Sequence, residues 1–133
     1  MNRFTRFTRG TVSRVREDRA WITVTSRGMI SASGTALTHI GNPTHVFLLY
    51  DRTTRQIALQ AASAHNSAAY RLRPQSSGKG PSRIVTGATF LAHVGVDAQA
   101  AAGRYTPEPV APDVIAITLP EHAFTRPEDE HDV

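Results

Sequence analysis

Leu37-Thr38-His39-Ile40-Gly41 recurs as Leu91-Ala92-His93-Val94-Gly95, with leucine, histidine, a β-branched residue and glycine in the same order. Each pentapeptide follows one pair of extended apolar runs and precedes another, so the same order of elements is written twice. Internal repetition says more about architecture than any single local motif. In this reading Leu and Ile or Val are the core face of a short helix and Gly is its stop. One half of the chain becomes the structural partner of the other, and function is to be sought where the copies differ.

Outward from the first pentapeptide, Ser33 is an N-cap for a helix that holds Ala36, Leu37 and Ile40 at helical spacing. Gly41 and Asn42-Pro43 end it, since the residue before proline is pushed out of the helical region. Upstream, Trp21, Thr23 and Thr25 alternate with Ile22, Val24 and Ser26 as in a half-buried strand over 20–26. Arg27-Gly28 is a tight turn into a second strand at 29–32. Downstream, the bulky run 46–50 reads as a buried strand, 51–55 turns the chain, and 56–61 returns through Ile57 and Leu59.

The second copy begins after a polar linker at 62–68. Tyr70 and Leu72 alternate with Arg71 and Arg73, which places both arginines on one side of one strand. A glycine-rich loop at 75–81 replaces the tight turn. Arg83-Ile84-Val85 enters the second helix, with Phe90, Leu91 and Val94 on one face and Gly95 as its stop. Residues 103–110 and 113–119 form the last pair, Val114-Ile115-Ala116-Ile117 answering Gln56-Ile57-Ala58-Leu59.

These 133 residues, 40% hydrophobic and 20% charged, suffice for one domain with its own core. No run approaches the roughly 18 apolar residues of a membrane span. The start carries arginines with no apolar stretch behind them, which predicts no secretory signal and a cytoplasmic product. No cysteine is present, so disulfides and thiolate metal sites are excluded.

The net charge of +4 hides an asymmetry. Residues 1–104 hold 14 of the 15 basic side chains against Glu17, Asp18, Asp51 and Asp97, a balance of +10, and residues 105–133 balance at −6. Fourteen of the basic residues are arginine, which fits both genomic base composition and bidentate phosphate contacts. A basic body favours an anionic partner, nucleic acid ahead of a membrane surface. Residues 1–19, where Arg-Phe-Thr repeats, are a basic arm or edge strand. Residues 20–119 are one domain with copies at 20–61 and 69–119. The acidic tail 120–133 lacks the apolar content to pack and is expected to be disordered.

The order strand, strand, short helix, strand, strand, with Gly at the first turn and at the helix end, resembles the AbrB-type swapped-hairpin family. Arg27-Gly28-Met29-Ile30-Ser31-Ala32-Ser33 and Ile40-Gly41 occupy the family's turn, strand and helix-end positions. The resemblance is ungapped over 20–61 and looser over 69–119. It implies a mainly β fold, a β-barrel with two short helices outside it, formed by tandem ββαββ repeats as an intrachain pseudo-dimer. Family members are mostly transcription regulators or antitoxins that bind DNA by arginines around the first hairpin. Here Met29 stands at the family's turn arginine, Ser33 at its strand-ending proline, and Leu37 and Thr38 at its helix arginines. In the second copy Arg83 falls at the turn-arginine position, with Ser82 before it.

The DNA-contact candidates are Arg27 on the first turn, Arg71, Arg73, Lys79 and Arg83 around the second hairpin, and Arg3, Arg6 and Arg9 in the arm. Such residues contact phosphates first and base edges second. The plainer alternative is that a surface strand must display something polar. Phe4 and Phe7 either stack on unpaired bases or dock on the body. His39 and His93 form a matched pair, yet a histidine near a helix C-terminus suits the helix dipole and no carboxylate accompanies either at ligand spacing. Gly78-Lys79-Gly80-Pro81 lacks the spacing of a phosphate-binding loop. No nucleophile with its base is present. The expectation is therefore a non-enzymatic DNA-binding regulator or architectural protein, without cofactor or metal, that prefers duplex to single-stranded DNA. The alternative is a non-catalytic protein-interaction module. Whether the chain forms a homodimer stays open.

Overall fold

The alternation at 20–26 becomes β1 (Ile22–Val24) in a computed structural model that describes residues 19–75 and 80–124. Arg3, Arg6, Arg9, Lys79 and most of the expected acidic tail lie outside them. The first turn forms as expected, Gly28 N donating to Thr25 O at 2.9 Å with Gly28 at φ +88. It leads into antiparallel β2 (Met29–Ala32), where Ile30 faces Val24. Ser33 Oγ caps α1 (Gly34–Thr38) by accepting from Ala36 N at 3.1 Å, and it also accepts from Trp21 N at 3.0 Å. One hydroxyl thus ties helix to strand. Asn42 N donates back to Leu37 O at 2.9 Å, with Gly41 at φ +85, as a helix-ending glycine does. β3 (His45–Asp51) and β4 (Gln56–Ala62) close the first half. Asp51 Oδ1 accepts from Thr53 N and Thr54 N in the turn between them.

The second half is β5 (Tyr70–Arg71), β6 (Arg73–Pro74), β7 (Arg83–Thr86), α2 (Ala88–His93), α3 (Ala98–Ala101), β8 (Gly103–Tyr105), β9 (Glu108–Ala111) and β10 (Val114–Thr118). Three expectations change. Arg83-Ile84-Val85 is strand rather than helix entry, because Val85 lies opposite Ile30 in β2 and the helix starts only after Gly87. α3 has no counterpart in the first half; Asp97 Oδ1 caps it by accepting from Gln99 N. The chain also keeps packing past 120: a 3₁₀ turn at Glu121–Ala123 buries Ala123 completely.

The chain is mainly β, and the strands divide between two antiparallel sheets, β6-β7-β2-β1-β8 and β5-β3-β4-β10-β9. The expected closed barrel is not formed, since pairing breaks where the chain passes between sheets. At one edge Leu72, between β5 and β6, donates its amide to Thr44 O at 2.9 Å instead of to a ladder. At the other, Pro107, between β8 and β9, has no amide to donate. Ile22, Ile30 and Val85 from the first sheet and Ile57, Leu59, Ile115 and Ile117 from the second belong to one buried cluster. Each helix start meets the other half's hairpin. A methyl group at Gly28 would come within 2.7 Å of Ala88 Cα and Cβ, and one at Gly34 within 2.5 Å of Pro81 Cβ. No helix among the described residues is long and apolar enough to cross a membrane.

Tyr105, opposite Ile22, donates its hydroxyl to Ala101 O, and burial raises its pKa above the ordinary 10.0. The neutral phenol therefore contributes stability that is fully present below that ordinary value and lost as pH rises through the higher folded value. Tyr105→Phe is expected to cost about 1 kcal/mol at neutral pH. The gap between wild type and variant closes above about pH 10. Urea midpoints from pH 7 to 11 check this, and a gap independent of pH refutes it.

Candidate nucleic-acid interface

Side chains alternate across each strand, so directly opposed residues share a face. On the first sheet Ile22, Val24, Ile30 and Val85 are buried and face the core. The opposite face carries a row across all five strands, Arg73, Ile84, Ser31, Thr23 and Arg104, each opposite the next. Four strand spacings separate its ends by roughly 19 Å. Both terminal arginines are exposed. Arg73 donates to Thr86 Oγ1 at 3.0 Å. The Arg104 guanidinium lies 4.4 Å over the Trp21 ring, a contact that holds it broadside to the sheet. At the centre, Ser31 Oγ donates to Gln75 Oε1. Among the described residues, buried Thr23 Oγ1 makes no hydrogen bond.

The expected DNA-contact set is spread over three places. Arg27 is exposed on the β1–β2 turn. Arg73 stands at the edge of the first sheet. Arg71 and Arg73 do not share a strand face: Arg71 pairs with His45 in the second sheet, and Arg73 with Ile84 in the first. Leu72 breaks the strand, which is why the alternation misled. Arg71 instead joins Arg83, Asn42 and Thr44 on the walls of a groove of about 310 Å³. Arg83 NH1 donates to Gly80 O and Ser82 O, both at 3.0 Å, so its fork is held in place. His39 and His93 are exposed at the ends of α1 and α2. Among the described residues no three metal-ligating side chains converge.

Sequence reasoning missed Arg104 and Trp21. Their signal was present, because Trp21 shares the outward face of its strand with Thr23 and Thr25, and Arg104 alternates with inward Tyr105. What was not visible is that β8 pairs with β1, about eighty positions away. No family model, curated protein or solved structure matches the chain.

Proposed function

We propose that the chain is a small DNA-binding protein, a fused single-chain form of the AbrB-type swapped-hairpin dimer, that lays the outer face of its first sheet on the phosphate backbone. The observation that carries the DNA reading is the row ending in Arg73 and Arg104, with Arg27 on the adjoining turn. A span of roughly 19 Å exceeds the roughly 12 Å major groove, so long guanidinium side chains at its two ends can reach phosphates on both sides. Between them Ser31 is 1% exposed and Thr23 Oγ1 is buried, so the contact rests on the arginines at the ends, with half-buried Gln75 as the neutral polar group beside them.

The register of two ladders supports the two-copy reading. Shifted back by 54 positions, β7 falls on β2, and their pairs, Met29 with Thr86 through Ala32 with Arg83, map onto themselves. Shifted by 58, β10 falls on β4, and Ala58 opposite Ala116 becomes the centre of a self-pairing ladder. The difference of four equals the length of α3. Equivalent strands that pair antiparallel about their own centres are what a two-fold axis between two copies requires.

Arg73→Ala with Arg104→Ala tests the face. At 50 mM salt the double variant is expected to bind duplex DNA about tenfold more weakly, with a log–log salt slope shallower by about 1.8 for two lost phosphate contacts. Filter binding at several salt concentrations, with duplex and single-stranded DNA, reads both. Unchanged affinity and slope would remove this face from the proposal.

One observation favours a protein partner instead. The outer face of the second sheet shows Phe47, Leu49 and Ala58, and Val110 on the edge strand is 55% exposed. Under that reading neither form of DNA binds in a salt-dependent way.

A further inference from the structure

The two helix ends are built alike and covered differently. Asn42 N donates to Leu37 O at 2.9 Å, and Val96 N, 54 positions later, donates to Leu91 O at 2.8 Å. Beyond that shared bond the environments diverge. Val96 is 5% exposed and bridges to Phe124, while Asp97 N donates to Ala123 O, so α3 and the 3₁₀ turn close that end. Asn42 is exposed, and in place of α3 the first half has the groove that Asn42 shares with Thr44, Arg71 and Arg83.

We infer that this groove is a binding site for the phosphomonoester of a nucleotide, either a free nucleoside monophosphate or the phosphorylated end of a strand. Among the described residues two guanidinium side chains line it and no carboxylate does. A phosphomonoester carries close to two negative charges at neutral pH, which two arginines match better than they match the single charge of a diester. Arg83 is anchored by its bonds to Gly80 O and Ser82 O, so little freedom is lost when it binds. The rest of the lining is Leu37, Pro43, Leu72 and Pro81, an apolar wall suited to a sugar and base. Asn42 and Thr44 provide an amide and a hydroxyl for their polar edges. The groove lies at the small end of ligand sites, which run from roughly 300 Å³. It is therefore sized for one nucleotide and not for a dinucleotide cofactor.

The inference does not depend on the outer face of the first sheet, and the experiment keeps the two apart. The full chain is titrated with thymidine monophosphate, thymidine and inorganic phosphate, followed by calorimetry and amide shifts. Thymidine monophosphate is expected to bind saturably with shifts at Asn42, Thr44 and Leu72, and thymidine and phosphate at least about tenfold more weakly. Arg71→Gln, at an exposed position, is expected to weaken the nucleotide about tenfold, and Arg71→Lys less. The Arg73 and Arg104 double variant keeps nucleotide binding even where it loses duplex DNA. Oligothymidylate with and without a 5′-phosphate separates the sources: preference for the phosphorylated strand assigns a strand end, and equal weakness of both assigns the free nucleotide. The inference fails if thymidine monophosphate does not saturate, if inorganic phosphate binds as tightly, or if Arg71→Gln changes nothing.

Discussion

Gly28→Ala is expected to destabilise the protein by about 2 to 5 kcal/mol, because one methyl group meets two separate obstacles. Gly28 sits at φ +88, a left-handed region that costs an L-residue about 1 to 2 kcal/mol. The added carbon also falls 2.7 Å from Ala88 Cα and Cβ at the start of α2, and overpacking of this kind costs about 1 to 3 kcal/mol. Neither partner can retreat easily, since Gly87 N donates to Gly28 O at 2.9 Å. Two other glycines separate the contributions. Gly41 has φ +85 and, among the described residues, nothing within 4 Å of an added methyl, whereas Gly34 has an ordinary φ and Pro81 at 2.5 Å. Gly41→Ala therefore measures the backbone part alone, and Gly34→Ala the contact alone. Denaturant midpoints of the three variants check the decomposition; a Gly28→Ala no worse than Gly41→Ala refutes the contact.

Ile115→Ala is expected to cost about 2 to 5 kcal/mol. Ile115 is fully buried and stands on β10 between Leu59 of β4 and Pro109 of β9, in the ladder that joins the two halves through the second sheet. Removing three carbons there leaves a cavity that backbone pairing on both sides keeps from collapsing. Domain stabilities lie near 5 to 15 kcal/mol, so the variant is largely unfolded by moderate urea. Val110→Ala, on the exposed edge strand, is the control and is expected to change stability by less than about 0.5 kcal/mol. Equal midpoints for the two variants would contradict the placement of the core.

Features written within a few residues of one another were legible in advance. The Arg27-Gly28 turn, the Ser33 cap, the Gly41 stop and the 51–55 hairpin each rest on local chemistry and formed as expected. What was lost depends on partners far along the chain. Arg83-Ile84-Val85 looks helical beside the second pentapeptide and becomes strand only because β2 lies next to it. Leu72 interrupts its strand because Thr44 O takes its amide, so Arg71 and Arg73 part company. The same breaks leave two sheets where one ring was expected. α3 did announce itself through Asp97 before an alanine-rich run, but the expectation of equal copies left no room for it. Among the described residues Arg27, Arg71 and Arg73 are exposed and Arg83 is half-buried; their charge was readable, and their grouping was not.

The pairing of β2 with β7 and of β4 with β10 also bears on how the chain comes off the ribosome. When residue 62 has emerged, the first half is two hairpins, each with an inner edge that expects a strand not yet synthesised. Open hydrogen-bonding edges of that kind recruit neighbouring chains. The inner edge of β4 lacks its partner until Val114–Thr118 appears. A chain cut before β7 leaves both of these seams open, and one cut between β7 and β10 still leaves the seam at β4, so the interval between the two halves of translation is when this chain most needs shielding.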